Sequence, residues 1–530
     1  MNSHAPVGSV LDTSRAWSKA TMVLLLCLMP LFVSPVLPLI DFYAHTLRYD
    51  ILADGGRDPT YAENYRIAWK LLPNLGLDVI GTGLFAILPA TIASRILLMI
   101  VVAAPVLGVM SLSWSLFGRV APLNAALAGI VAHNFVFGWG FANFLLGFSL
   151  ALAGLGFWIA NAGAPRRQLF FSTAFAVLIF FTHGFVFAIW GLMLFAVEAM
   201  ASVSGGRLRP GEVVRRGSRL LIVAALPVLL FLATSTVQGS GGVTDAVSNL
   251  AGYSGEGNVA SRVLQEIWLR IDSGLRASES NWPTADRLFG LVLWGLIGFG
   301  LLARQLRIDR RLWLVVPLMA LLAIIVPPAM FGVGHLPERL PIVLLAVIAA
   351  GLSVSRDKSG SRTVTRAIML LLPVHLFMVT LGWAQERQGY ARFLALAETL
   401  PEGGLATVAY GPGVRERDEM RSCKPFTFLL SMSRGIAVPT FANETEQPLE
   451  IIGPLAAAMT AYAARAVQTP DLNGTAQVRA MLDAGYNMVV LCEGRYISTV
   501  DGTVAGARPV KGAEVVGAGK GWTLYRDLPG

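Results

Sequence analysis

The residues best suited to chemistry follow directly on the first long apolar stretch of the chain. Asp41, His45 and Arg48 stand in the segment "PVLPLIDFYAHTLRYDIL", and on a continuing helix their side chains would share one face. A carboxylate in such a place can accept a proton from a hydroxyl group, and the neighbouring cations can hold a phosphate. The alternative is that Asp41 is a helix N-cap, whose carboxylate accepts hydrogen bonds from the first backbone amides.

Two further groups of ionisable residues stand beside apolar stretches. Asp78 lies at the entry of the second stretch, and we expect it to be a second carboxylate of the site or a buried partner of an arginine or lysine. His335, Glu338 and Arg339 occur together in "GVGHLPERLP", a predicted short turn between two apolar stretches. An arginine there can bind phosphate through two parallel hydrogen bonds. The alternative for this turn is a Glu338–Arg339 ion pair at the membrane boundary.

Histidines within apolar segments raise the question of a metal site. His133 and His183 are such positions, and histidine binds metals readily. However, the six histidines of the chain are scattered and lack carboxylates at ligand spacing, so hydrogen-bonded histidines of the core are favoured. We find no divalent-metal motif and predict no cofactor; a divalent metal is the open alternative, without a motif to support it.

The segment "YAENYRIAWKLLPNLGLD" has the pattern of an amphipathic helix. Glu63, Arg66 and Lys70 lie three and four residues apart, beside aromatic residues that favour the headgroup region. We expect this helix to lie on the outer membrane surface. The alternative is an ordinary surface helix with ion pairs.

The composition is that of a membrane protein. Of the 530 residues, 55% are hydrophobic and 14% charged, and the mean hydropathy is +0.61, which is too apolar for a soluble protein. The net charge of +9 could indicate nucleic-acid binding. The basic residues, however, are grouped in short loops within residues 207–219, 304–311 and 356–366, as the positive-inside rule expects of cytoplasmic loops. No nucleic-acid partner is therefore predicted.

Residues 1–385 are predicted to form a mainly helical, polytopic membrane domain. Apolar runs of about 20 residues, the length that crosses a membrane, recur through this part. About eleven crossings would place the N-terminus in the cytoplasm and the C-terminus outside, with outer loops at 41–74 and 238–287. The first span is predicted at residues 20–40, and "FFTHGF" is expected to divide the apolar stretch 168–203. Later spans are predicted at 220–236, 288–302, 312–331, 340–354 and 367–384.

Residues 386–530 change character and are predicted to form a small soluble α/β domain outside the membrane. "LATVAYGPG", "YNMVVLCEG" and "GWTLYRDL" have the pattern of strands, and "GTAQVRAMLDAG" that of a helix ended by glycine. No GxGxxG, P-loop or GxSxG motif occurs here, so no catalysis is assigned to this domain. Cys423 and Cys492 could form a disulfide in an oxidising compartment, but two reduced core cysteines are favoured.

Together these features resemble the GT-C superfamily of membrane glycosyltransferases. Its members have many spans, an acidic residue in the first extracytoplasmic loop and often a soluble C-terminal domain. "DFYAHTLRYDIL", "LLPNLGLDVI", "FGWGFANFLLGFSLAL", "FFTHGF" and "PERLP" are similar to a group of bacterial multispan proteins with this layout. Their opening loop follows approximately D-x-x-N-H-x-x-R, and here Ala44 takes the place of the asparagine.

The resemblance implies an inverting sugar transfer at the outer face of a bacterial inner membrane. The donor would be a polyprenyl-phosphate-linked sugar, and the acceptor a glycan, lipid or protein. Asp41 would be the general base. The substrate-binding residues would be His45, Arg48, Asp78, His335, Glu338 and Arg339. The paired acids of many superfamily members are absent at Asp41, where the next acid is Asp50.

Two other functions are compatible with the sequence. A lipid or glycan transporter would use Asp41, Asp78 and His183 along its pathway, but we find no internal repeat, and the acids lie at the outer edge of the spans. A noncatalytic assembly subunit would use the outer α/β domain to recruit partners. The transferase is the favoured hypothesis.

Overall fold

The computed structural model describes most of the chain. The described residues are 10–204, 207–208, 210–234, 259–327, 334–355, 358–411, 423–442, 447–469, 473–493, 508–519 and 521–528. This part is mainly helical, as predicted. Residues 1–9, residues 238–258 of the predicted outer loop, and Arg209 and Arg356 of the basic loops lie outside it.

Most helices occur between residues 10 and 397. In chain order they are α1 (Val10–Leu28), α2 (Phe42–Asp54), α3 (Pro59–Asn64), α4 (Gly76–Ile87), α5 (Ala90–Phe117), α6 (Pro122–Ile130), α7 (Phe135–Trp139), α8 (Ala142–Ala160), α9 (Pro165–Thr182), α10 (Gly184–Ser202), α11 (Pro210–Ala233), α12 (Val259–Leu275), α13 (Pro283–Leu302), α14 (Val315–Ile325), α15 (Leu336–Gly351), α16 (Ser361–Ala384) and α17 (Arg387–Ala397).

Several of these helices are long and apolar enough to cross a membrane, so the chain is a multi-pass membrane protein. Within the described residues there are six: α5, α8, α10, α11, α13 and the helical stretch Ser361–Ala397. Ala20–Phe32 and Gly76–Ile87 are shorter apolar helices. The count of eleven crossings stays a prediction.

Two predicted features of the spans can be compared with the helices directly. The division at "FFTHGF" is confirmed, because α9 ends at Thr182, His183 is extended with φ −164°, and α10 begins at Gly184. The first span is shorter as an α-helix than the predicted 20–40. α1 ends at Leu28, and a 3₁₀ turn, Met29–Phe32, contains Pro30, which cannot donate the hydrogen bond that would continue the helix.

The chain divides into two compact units. One comprises residues 1–30, 98–137 and 142–381, and the other residues 31–97, 138–141 and 382–530. In its described part, the first unit is helical apart from two short antiparallel strand pairings, β2 (Val203–Ser204) with β3 (Arg207–Leu208) and β4 (Leu306–Ile308) with β5 (Leu352–Val354). The second unit joins the first predicted outer loop to the C-terminal region. The predicted domain boundary at residue 385 stays a prediction.

The second unit contains a four-stranded mixed sheet built from C-terminal strands. Its order is β6 (Ala406–Tyr410), β8 (Met488–Cys492), β10 (Trp522–Asp527) and β9 (Ala513–Gly519). β6 and β8 are parallel, and the other neighbours are antiparallel. The helices are α18 (Pro425–Arg434), α19 (Gly453–Gln468) and α20 (Gly474–Asp483). The three predicted strands and the predicted helix are thereby confirmed, and every residue of β8 is buried.

The predicted amphipathic helix through Glu63, Arg66 and Lys70 is wrong. α3 ends at Asn64, and β1 (Tyr65–Ile67) pairs antiparallel with β7 (Leu449–Ile451). The Tyr65 hydroxyl donates to the carbonyl oxygen of Val438 at 2.7 Å and accepts from its amide at 2.8 Å. These contacts join segments distant in sequence, so they override a local helical pattern.

Cys423 and Cys492 form a disulfide, whereas the sequence favoured two reduced cysteines. Their Cα atoms are 5.9 Å apart, a normal separation for this bond. Cys492 is the last residue of β8, and Cys423 lies two residues before α18. The remaining cysteine, Cys27, is free and buried.

Replacing both disulfide cysteines should destabilise the protein. The bond closes a separation of 69 residues, for which the chain-entropy relation gives about 4 kcal/mol. We expect Cys423→Ser with Cys492→Ser to lower the melting temperature of the purified protein. Thiol titration of the denatured protein should find one reactive thiol before reduction and all three after it. In Cys27→Ser we expect no reactive thiol before reduction and two reactive thiols after it. Three thiols before reduction would contradict the disulfide.

Candidate functional site

Asp41 occupies the N-cap position of α2 without capping it. Its side chain makes no hydrogen bond to the first turn of that helix, all of whose residues are described. Instead, Oδ1 accepts a hydrogen bond from Nζ of Lys424 at 2.7 Å. The carboxylate is 11% exposed and the lysine side chain 24%. Oδ2 accepts no hydrogen bond from any described residue, so the N-cap alternative does not account for this aspartate.

A four-residue segment, residues 138–141, fixes the backbone of Asp41. The amide of Asp41 donates to the carbonyl of Trp139 at 2.9 Å, and that of Ile40 donates to Gly138 at 3.3 Å. Gly140 has φ +84°, and a Cβ on it would overlap the backbone nitrogen of Phe42. The "FGWGF" motif therefore needs glycine at position 140 for both its conformation and its close approach.

Lys424 is placed by the C-terminal region. It immediately precedes α18 and adjoins Cys423, whose disulfide ties it to the end of β8. Tyr410, the last residue of β6, pairs with Cys492 in the parallel register. Burial, together with the negative charge of Asp41, raises the pKa of Tyr410 to about 12. Its hydroxyl therefore stays protonated at neutral pH and can donate a hydrogen bond.

His45, Arg48 and Asp78 form one chain of contacts, in which Arg48 and Asp78 are buried and His45 is half-buried. Nε of Arg48 donates to Oδ1 of Asp78 at 2.6 Å, and the two side chains are 1% and 2% exposed. Nη2 of Arg48 lies 3.1 Å from Nδ1 of His45, and Nη1 donates to the Phe441 carbonyl at 3.3 Å. Since a guanidinium can only donate, Nδ1 of His45 is the acceptor. Asp78 is thus the buried partner of an arginine, one of its two predicted roles.

The other three predicted site residues belong to the first unit. Nδ1 of His335 lies 3.1 Å from Oε1 of Glu338. Nη1 of Arg339 lies 3.1 Å from Nε2 of His183, and its Cζ lies 5.4 Å from the ring centre of Phe144. Arg339 and His183 are both buried. The structure therefore joins Arg339 to the histidine at the α9–α10 break.

No group of three metal-ligating side chains occurs among the described residues. The buried histidines have hydrogen-bond partners. Nε2 of His133 lies 2.7 Å from the Cys27 carbonyl, and Nδ1 of His375 lies 2.9 Å from Oγ of Ser278. These contacts fit the favoured prediction of core histidines for His133.

Sequence reasoning missed Lys424, Tyr410 and the role of Gly140. Lys424 is 383 residues from Asp41, and no local pattern connects them. The one available signal was the position of Lys424 next to Cys423. Gly140 lies in a motif that was recognised only as an interruption of an apolar segment.

Comparisons with known proteins give distant structural likenesses. No protein-family model matches the chain, and no curated protein matches it. The chain is similar to the structure of ArnT from Cupriavidus metallidurans bound to undecaprenyl phosphate, with 13% identity, a TM-score of 0.46 and coverage of 97% of this chain and 98% of that one. The apo ArnT structure gives 13% identity and a TM-score of 0.47 with the same coverage.

A second likeness is to the arabinofuranosyltransferase AftD from Mycobacteria. The identity is 16% and the TM-score 0.37, over 98% of this chain and 42% of AftD. All of these TM-scores lie under 0.5. We therefore transfer no residue role from either protein, and the site stands on its own geometry.

Gly140→Ala should disturb the backbone at Asp41. Alanine at positive φ costs about 1–3 kcal/mol, and the overlap with Phe42 adds to this. We expect a clearly lower melting temperature in detergent. The matched control is Gly83→Ala, since a Cβ at Gly83 in α4 meets no atom within 4 Å. Equal stability of the two variants would contradict the close packing of residues 138–141.

Proposed function

We propose that this chain is a membrane glycosyltransferase. It would move a sugar from a polyprenyl-phosphate-linked donor to a glycan, lipid or protein acceptor, with inversion at the sugar. Asp41 would be the general base. The observation that carries the proposal is the geometry of this carboxylate. Oδ1 is held by Lys424 at 2.7 Å, and Oδ2 accepts no hydrogen bond from a described residue.

The proposed reaction is a single displacement. The acceptor oxygen would form a bond to the anomeric carbon while the bond from that carbon to the phosphate oxygen breaks. The electron pair of the broken bond goes to the phosphate, and the hydroxyl proton passes to Oδ2 of Asp41. One displacement inverts the configuration of the sugar. Lys424, which fixes Oδ1, would orient the base for this transfer.

The cations near Asp41 have different roles in this scheme. Arg48 is buried against Asp78, so we assign it chiefly to holding α2 on α4 and to positioning His45. Lys424 is more exposed, and its ammonium is suited to the departing phosphate as well as to Asp41. Binding roles for His335, Glu338 and Arg339 belong to the same proposal.

The disulfide supports an extracytoplasmic place for the second unit. Disulfides persist in oxidising compartments and are rare in the cytosol, and Cys423 adjoins the lysine of the site. We therefore place the reaction at the outer face of a bacterial inner membrane, with the C-terminus outside. The basic loops, which the sequence predicts to be cytoplasmic, agree with this orientation.

The direct test is sugar transfer in membrane vesicles. Labelled sugar is followed from the lipid pool to acceptor with the wild type, Asp41→Asn and the control Asp50→Asn. Asp50 lies on the same helix but interacts with Tyr61, whose hydroxyl lies 3.3 Å away. Loss of the base should lower the rate by about 10²–10⁴-fold, and the control should retain it.

Two outcomes would overturn the proposal. Equal transfer by Asp41→Asn and the wild type at equal protein level would remove Asp41 as the base. If the folded wild type transfers no sugar from any lipid pool, the glycosyltransferase hypothesis is excluded. Lipid movement between leaflets would then be measured to test the transporter hypothesis. A protein active in neither assay fits the assembly subunit.

A further inference from the structure

A cavity of about 450 Å³ lies in the first unit, at the C-terminal ends of α8 and α10. One wall is apolar and includes Ile159, Val197 and Met200. The other wall is charged and includes Glu198, Arg216 and the 3₁₀ turn Arg310–Leu312 through Arg310 and Arg311. The cavity thus combines an apolar surface with three guanidinium groups.

The carboxylate of the cavity is already occupied. Glu198 is buried, and its Oε1 accepts from Nε1 of Trp158 at 2.7 Å. Its Oε2 accepts from Nη1 of Arg216 at 2.6 Å. Three arginines and one glutamate line the cavity, and Nε of Arg216 also donates to Oε2 of Glu212 at 3.2 Å, so two carboxylates offset the charge of Arg216.

Arg310 supplies a cation that has no ion-pair partner among the described residues. Arg311 is held by Asp309 through two hydrogen bonds of 2.8 and 3.0 Å. The guanidinium of Arg310, by contrast, makes no hydrogen bond or ion pair with any described residue, and the residue is exposed. Such a group is suited to an anionic ligand.

The cavity is separate from the Arg339–His183 contact. Glu198 lies 15 residues beyond His183 along α10, which corresponds to about 22 Å along the helix axis. The cavity also lies where the sequence places cytoplasmic loops, because Arg216, Arg310 and Arg311 belong to the basic clusters.

The helix that carries Arg216 is exposed along its apolar length. In α11, Leu221 is 73% exposed, Leu229 64% and Leu232 60%. In a multi-pass membrane protein such a face contacts lipid chains. These leucines lie about 140–220° around α11 from Arg216, so they face lipid on the other side of the helix, and a ligand in the cavity has its apolar contact with Ile159, Val197 and Met200.

We propose that this cavity binds the phosphate headgroup of an anionic membrane lipid in the cytoplasmic leaflet. Arg310 binds the phosphate oxygens, and the apolar wall contacts the first part of the lipid chains. Basic pockets between spans on the cytoplasmic side recognise anionic headgroups in this way. Free phosphate can make the same hydrogen bonds as the headgroup, but it has no apolar chain to contact the apolar wall. The site is independent of the proposed glycosyl transfer.

The test is native mass spectrometry of the full chain, titrated with phosphatidylglycerol or with phosphatidylcholine. The variant is Arg310→Gln, and the control is Arg304→Gln, an exposed arginine of the same basic loop that does not line the cavity. We expect the wild type and Arg304→Gln to prefer phosphatidylglycerol. Arg310→Gln should weaken its binding about tenfold, which is the effect of one lost charge-assisted hydrogen bond. Circular dichroism checks that both variants are folded.

A competition arm with inorganic phosphate identifies the source of the headgroup chemistry. Retention of phosphatidylglycerol at millimolar phosphate supports a lipid occupant. Displacement of all lipid by phosphate overturns the lipid and assigns the cavity to a soluble anion. Equal binding of the two lipids, or an equal loss in both arginine variants, overturns the cavity as a specific site.

Discussion

The ion pair between Asp41 and Lys424 is the contact on which the candidate site depends. It joins two residues 383 positions apart, and each is fixed by a different part of the second unit. Residues 138–141 hold the backbone of Asp41, and the disulfide at Cys423 anchors the segment that carries Lys424. A carboxylate that merely ended the first span would need neither support. Because both partners of the ion pair are held in place, we infer that the position of the carboxylate oxygens matters.

A second buried ion pair makes the helix after Asp41 rigid. Arg48 and Asp78 are almost fully buried, and removal of one partner of such a pair costs about 3–5 kcal/mol because the other charge is left uncompensated. The pair holds α2 against α4, and Gly81 of α4 allows this approach because a Cβ there would overlap the ring of Tyr49. In the proposed reaction Arg48 therefore acts through position, and Lys424 acts by orienting the Asp41 carboxylate.

Local sequence patterns predicted much of the fold but little of the site. Local patterns were sufficient for the membrane helices, the break at His183 and the strands β6, β8 and β10. These features depend on the hydropathy of neighbouring residues and on glycine and proline at the ends of elements. The helix predicted through Arg66 is wrong because this segment pairs with strand β7 instead. The hydroxyl of Tyr65 also donates to the carbonyl oxygen of Val438, far away in the sequence.

The candidate site combines residues that local reasoning could and could not find. Asp41, His45 and Arg48 were singled out together and Asp78 separately, since ionisable residues at the edge of apolar stretches are rare. The contact of Arg48 with Asp78, and that of Asp41 with Lys424, depend on chain segments brought together only by folding. The same is true of Cys423 and Cys492, for which the sequence favoured the reduced form.

The most direct test of this account is a double-mutant cycle on the sugar-transfer rate with Asp41→Asn, Lys424→Gln and both changes together. If Lys424 acts by orienting the carboxylate, the double variant should be no slower than Asp41→Asn alone, so that the two effects are strongly non-additive. Additive losses would show that Lys424 acts independently of Asp41. An unchanged rate in Lys424→Gln, at equal protein level, would contradict the central role of the ion pair.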